Sequence, residues 1–238
     1  MLNAKSSSVL AVETSTSACS VALLHQGQEY IQHEILPQKH AHRVLEMVNQ
    51  VIEEAGIKPN EIDLLAFGEG PGAFTGIRIA SGVIQGLALG WDKPVLAVSS
   101  LLAMAEKVFS QQEPLEDTEW CAILDARMKE VYILRGKYIL QTKELIADQP
   151  LMISPEQLKS FLPKNKSCIG VGDIKEIYPE LVDYFEHWYE ALPEAVSIAR
   201  IAQNNDQDAT NLKQEIPNPL YLRNHIADTI EERKNKVK

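Results

Sequence analysis

At 238 residues the chain is long enough for one large domain or two small ones, each with an apolar core. A formal charge of −10 works against unaided binding to nucleic acid, because neutralising phosphates takes a basic surface. The opening MLNAKSSS lacks the apolar centre of a signal peptide and no run approaches the roughly 18 apolar residues of a membrane span, so a cytoplasmic location without membrane attachment is expected. Cys19, Cys121 and Cys168 are scattered, which argues against a disulfide framework or a CxxC site and reads as reduced, buried thiols.

Residues 9–14, 20–26 and 29–36 are strand-like and closely spaced, with 25–28 as a hairpin turn. From His40 to Ala55, Ala41, Val44, Leu45, Val48, Val51, Ile52 and Ala55 recur at helical spacing and Gly56 stops the helix. Residues 64–67 read as a buried strand, 75–90 as a second helix, 94–99 as a strand and 100–109 as a third helix. The stretch 110–119 holds one apolar residue in ten and reads as a linker. Beyond it a weaker echo begins, with strands at 121–124 and 130–136 and a helix capped by Ser154 over 154–162. Helices are expected near 174–187 and 194–204. Two α/β lobes, residues 1–109 and 110–238, fit this order, and the basic run 233–238 reads as a solvated tail.

Between the strand at 64–67 and the helix at 75 lies GEGPGAFTGIR, residues 68–78. A Walker loop needs GxxxxGK with Ser or Thr, and no lysine occurs between Lys58 and Lys93. Gly68, Gly70 and Ala73 formally satisfy the dinucleotide fingerprint. Pro71 removes a donor, however, and the next strand ends in serines where a ribose-binding acid belongs. A tight strand-to-helix turn explains the glycines, while N–H groups at the helix start can still hold an anion. In the following helix the polar residues Arg78, Ser81 and Gln85 form one narrow stripe, beside which Gly82, Gly86 and Gly90 succeed one another at i, i+4. Glycine costs about 1 kcal/mol against alanine in a helix interior, so the row calls for a close approach of another backbone. That neighbour is either in the same chain or in a partner.

Four segments in register carry a resemblance: VLAVETSTSACSVAL at 9–23, GPGAFTGIR at 70–78, LDARMKEVY at 124–132 and PLYLR at 219–223. Together they resemble the TsaB (YeaZ) family, over nearly the whole span 9–223. The resemblance implies an α/β fold of two ribonuclease H-like lobes of the actin, sugar kinase and Hsp70 (ASKHA) type. It also implies a part in making threonylcarbamoyladenosine, the modified base beside the anticodon of tRNAs that read codons beginning with A. Family members are non-catalytic: they pair with the paralogous transferase TsaD, which the ATPase TsaE joins, and form homodimers when TsaD is absent. Binding of tRNA is then expected only through the complex, with no cofactor and no metal.

On that reading Arg78, Ser81, Gly82, Gln85, Gly86 and Gly90, with Val44 and Val48 of the first helix, are the expected partner-binding residues. The rival reading is a phosphotransferase or ATPase of the same fold with a degenerate cradle. Its candidates are Glu13, Thr14, Ser15, Gly72, Thr75 and Asp125. The turn 13–18 contains no glycine, which hinders approach of a phosphate to the backbone. His40 and His42 are two residues apart, so their imidazoles diverge on a helix, and no HExxH is present. Asp173, in the run 170–173, is expected as a helix N-cap.

Overall fold

The computed structural model describes residues 7–112, 114–162, 168–212 and 215–223. Strands β1 (Val9–Glu13), β2 (Ala18–His25), β3 (Gln28–Ile35), β4 (Leu64–Gly70) and β5 (Val95–Ser99) form a sheet in the order β3-β2-β1-β4-β5. The first three strands are antiparallel and β1, β4 and β5 run parallel. Parallel neighbours need long crossovers, and helices supply them. These are α1 (His40–Ala55) between β3 and β4, and α2 (Phe74–Trp91) between β4 and β5. Gly56 ends α1 in the left-handed conformation with its N–H on the last carbonyls, as its position in sequence predicts.

The second sheet repeats the plan. Its strands are β6 (Thr118–Arg127), β7 (Glu130–Ile139), β8 (Glu144–Ala147), β10 (Ile169–Gly172) and β11 (His187–Glu190), in the order β11-β10-β6-β7-β8, and β9 (Leu151–Ile153) pairs with β7. Read from β8 and numbered within the lobe with β9 left aside, this is again third, second, first, fourth, fifth, with the same parallel and antiparallel contacts. Each lobe is ribonuclease H-like, and the pair gives the two-lobed fold. The crossovers differ in size: where the first lobe has α1 and α2, the second has α4 (Pro155–Phe161) and α5 (Pro179–Val182).

The closing helix of each lobe packs on the other sheet. Leu101, Met104, Ala105, Val108 and Phe109 of α3 (Ser100–Gln111) join Trp120, Ala122, Leu124 and Tyr132 of the second sheet. Ala195, Val196, Ile198, Ala199 and Ala202 of α6 (Ala195–Asn204) join Val9, Ala11, Ala22 and Leu64 of the first. Helices α3 and α6 thus form a shared middle layer, while α1 and α2 cover the outer face of the first sheet. A division of the chain at residue 109 falls inside α3.

Several local expectations change. No long helix spans 174–187: a single turn, α5, follows Tyr178, and residues 187–190 extend into a strand whose Trp188 packs with Phe185. Pro179 starts a helix but the chain leaves it after one turn. Strand β6 begins at Thr118, shortening the linker. The cap at Ser154 is present as a reciprocal box with Gln157. The tail 233–238 lies outside the described residues.

Candidate functional site

The turn after β1 sits beneath the glycine loop. Glu13 is 1% exposed, Thr14 0% and Ser15 1%. Ser100 donates its hydroxyl to Glu13 Oε2 at 2.6 Å, and the Ser15 N–H donates to the other oxygen. Thr14 donates to the Gly76 carbonyl at 2.8 Å, and the Ala73 N–H donates to the Ser15 carbonyl at 2.7 Å. The glycines make room for this contact. A Cβ at Gly72 would stand 2.5 Å from the Ser15 carbonyl oxygen, one at Gly76 would overlap that of Thr14, and one at Gly68 would overlap the Glu13 carboxyl. Gly70, at φ +101°, adopts a backbone that other residues rarely take. Burial pushes the Glu13 carboxyl above the ordinary carboxylate range, against the hydrogen bonds from Ser100 and Ser15.

This geometry corrects the anion-site expectation. Glu13, Thr14, Ser15 and Gly72 do come together, but the loop is filled by the chain's own turn, and the Ser15 and Ala73 donors are spent within it. Thr75 is exposed on the first turn of α2. Asp125 ends up on the second sheet, where it accepts from the Arg127 N–H and forms an ion pair with the Arg127 guanidinium. Asp173 accepts the Asp125 N–H at 3.0 Å instead of capping a helix, and burial followed by the Asp125 charge raises its pKa. His40 is buried and His42 exposed. No group of three His, Cys, Asp or Glu suited to a metal occurs among the described residues. Cys121 and Cys168 lie 3.8 Å apart as free thiols, and the contact together with burial drives the Cys121 thiol well up.

Helix α2 has two faces. Ile77, Ala80, Ser81, Ile84 and Ala88 are buried against the sheet. Gly82, Gly86 and Gly90 face outward, and a Cβ at any of them would meet nothing within 4 Å. Three interior glycines therefore cost helix stability with no intrachain packing in return. Leu89 beside them is 70% exposed, and Leu45 of α1 is 52% exposed. Val44 and Val48, expected at a partner surface, are instead core residues at 0% and 2% exposure, because the apolar stripe of α1 faces the sheet. Ser81 is buried and bonded to Gln85.

The segment 215–223, which ends in the PLYLR run at 219–223, proves to be a strap between the lobes. Gln85 Nε2 donates to the Pro217 carbonyl at 2.9 Å, and the Leu220 N–H donates to the Glu69 carbonyl at 2.8 Å. Arg78 Nε donates to the Tyr221 hydroxyl at 2.8 Å, while its guanidinium lies 3.8 Å from the Phe74 ring centroid. Leu222 packs on the core of the second lobe, and Arg223 donates to the Ala126 carbonyl and pairs with Glu130. Pro217 and Pro219 keep such a segment extended, which was the signal available in sequence.

Residues 24–228 match the family model described as "TsaD: tRNA N6-adenosine threonylcarbamoyltransferase". A Haemophilus influenzae protein named tRNA threonylcarbamoyladenosine biosynthesis protein TsaB is 36% identical, covering 92% of this chain and 94% of its own. The chain belongs to the TsaB family. The Escherichia coli TsaB is 32% identical over 92% of this chain and 96% of that protein. The solved structure of YeaZ from Pseudomonas aeruginosa superposes with a TM-score of 0.76 at 38% identity, covering 91% of this chain and all of the other. Likeness to the TsaB family therefore extends over both sheets. Among the described residues no helix is long and apolar enough to cross a membrane.

Proposed function

We propose that this chain is the non-catalytic scaffold subunit for threonylcarbamoyladenosine modification of tRNAs reading ANN codons. It binds the TsaD-family transferase through the outer face of α1 and α2, with the ATPase TsaE joining the pair, and it forms a homodimer when that subunit is absent. Residues 1–109 carry the docking helices; residues 110–238 supply the second lobe and the basic tail. The assembly works in the cytoplasm, and the chain alone binds tRNA poorly at physiological salt because of its negative charge.

The observation that carries this reading is the outward glycine row of α2, free of intrachain packing, with Leu89 exposed beside it and Leu45 exposed on α1. Such a row lets a second helix approach to about 8 Å. The names of the TsaB relatives supply the pathway. Gly86→Arg places a long charged side chain in the row, and its Cβ meets nothing in the free chain. Copurification and calorimetric titration with the TsaD-family subunit of the same cell should show binding lost while the melting curve of the free variant barely moves. Unchanged affinity would overturn the docking assignment. A steady ATPase or threonylcarbamoyl transfer by the isolated chain, abolished by Glu13→Ala, would overturn the non-catalytic reading.

A further inference from the structure

Six arginines lie among the described residues. Five of them pair with a carboxylate of their own chain: Arg43 with Glu34 and Glu46, Arg127 with Asp125, Arg135 with Asp148, Arg200 with Glu29 and Glu106, and Arg223 with Glu130. Arg78 has no carboxylate partner among the described residues, although the chain as a whole is acidic. It is also held in place. Its guanidinium lies over the Phe74 face, its centre is 5.6 Å from the Tyr221 ring, and its Nε is committed to the Tyr221 hydroxyl. The two rings stand 5.5 Å apart and each residue is 40% exposed. With Nε spent, the Nη1 and Nη2 edge is left without a hydrogen bond among the described residues. Two parallel N–H groups on a fixed plane match a carboxylate in bidentate geometry, and immobilisation by aromatic faces and a hydroxyl lowers the entropy that pairing must overcome.

Position says where the anion comes from. Arg78 precedes Gly82, Gly86 and Gly90 by four, eight and twelve residues, so it heads the same ridge of the helix that the glycines continue. We propose that Arg78, seated between Phe74 and Tyr221, is a preorganised receptor for a carboxylate side chain on the partner helix that lies along the glycine row. This rests on the docking of α2 proposed above. A protein carboxylate is favoured over an RNA phosphate because the receptor is a single cation continuous with a helix-packing surface, on a molecule whose net charge repels a polyanion. The strap has a part in recognition: Tyr221, which reaches Arg78 from 143 positions away in sequence, is a positioning residue for the guanidinium.

The test titrates the full chain with the TsaD-family subunit of the same cell, comparing the parent with Arg78→Gln, Arg78→Lys, Tyr221→Phe and Gly86→Arg. Arg78→Gln should weaken binding about 10- to 100-fold, the range for losing a charge-assisted pair. Arg78→Lys, which keeps the charge but not the fork, should recover only part of it. Tyr221→Phe should weaken binding about 2- to 10-fold with little change in melting temperature, and it keeps the proposal testable should Arg78→Gln fold poorly. If Gly86→Arg abolishes binding while Arg78→Gln and Tyr221→Phe bind like the parent, docking stands and the receptor is overturned. If Gly86→Arg also binds normally, the docking reading falls with it. Loss of tRNA binding by the assembled complex in Arg78→Gln, with protein affinity unchanged, would overturn the carboxylate in favour of a phosphate.

Discussion

In the first lobe the turn after the opening strand, residues 14–17, has its leading two residues packed under the glycine loop; in the second lobe its counterpart, residues 127–129, stands in solvent. The two turns occupy the same place in the same strand order. The buried one is accommodated by glycines at 72 and 76, each too close to the turn to carry a Cβ, and by Gly68, whose Cβ would overlap the Glu13 carboxyl before it. The exposed one has no glycine at all, and Arg127, Met128 and Lys129 all adopt positive φ. A glycine-rich loop is thus the mark of a space filled by the chain itself, while the lobe without the loop leaves its turn open. The glycines of α2 divide by the same logic: Gly76 touches the turn and Gly86 touches nothing.

The largest effect that would break this comparison is at Gly76. A methyl group there overlaps a backbone carbonyl, which no side-chain rotation relieves, so Gly76→Ala should cost at least about 3 kcal/mol in urea denaturation. Gly172→Ala in the second lobe meets the Ile123 carbonyl and should cost a similar amount. Because α3 and α6 are exchanged between the sheets, both variants should unfold in one cooperative transition. Two resolved steps, one per lobe, would show that the lobes are energetically separate.

The sequence made much of this legible, and the parts that were not share a cause. Helix α1 and its Gly56 stop follow from period and cap, and strands β1 to β3 from short, closely spaced strand-like runs with a turn between the last two. Strands β8, β9 and β11 are three or four residues long, too short for a period to register, and they are fixed by pairing with the strands before them, β8 and β9 with β7 and β11 with β10. The glycine row of α2 could be seen, but its direction could not. An apolar helix does not declare which side the sheet takes, and Val44 and Val48 were misplaced for the same reason. The strap was invisible as a contact because Tyr221 and Arg223 meet Arg78 and Glu130 only through the fold.

A pH effect of intermediate size distinguishes the buried turn. Burial raises the Glu13 pKa in the folded chain above its unfolded value. The folded state therefore binds more protons than the unfolded one, and stability declines as pH rises from the ordinary carboxylate range through the folded value. Below that range both states are protonated and nothing is lost. Glu13→Gln keeps the shape and an acceptor for the Ser15 N–H while abolishing ionisation, so its stability relative to the parent should climb as the pH rises above the ordinary carboxylate range. A difference that is flat with pH in denaturant titrations would mean that burial does not raise the Glu13 carboxyl.

Smaller still is the effect of adding a methyl where the structure is open. Gly86→Ala should stabilise the free chain by about 1 kcal/mol, the reverse of Gly76→Ala in the first turn of the same helix. The same variant should weaken partner binding, since it thickens the ridge along which a second helix would approach. Stabilisation without loss of affinity would sharpen the comparison differently, by showing that the row tolerates a Cβ and that only longer side chains are excluded.

The smallest expected change lies in the exposed turn. Arg127 pairs with Glu130, leaving Met128 and Lys129 as a two-residue hairpin loop with φ of +54° and +62°. Positive φ at both central positions is the type I′ pattern, whose second position favours glycine because a Cβ there crowds the following peptide. Lys129 is exposed, and neither a hydrogen bond nor an ion pair would be given up by its replacement among the described residues. Lys129→Gly relieves the left-handed penalty in the folded state but adds freedom to the unfolded chain, and these two terms oppose each other. Relief of about 1 kcal/mol against a somewhat smaller entropic loss leaves a net gain of a few tenths of a kcal/mol. Thermal melts of the parent and the variant, run side by side, read that as a rise of about a degree. A clear fall would show that Lys129 holds the hairpin by a contact of its own, and the second lobe's turn would then be supported by side chains as the first lobe's is.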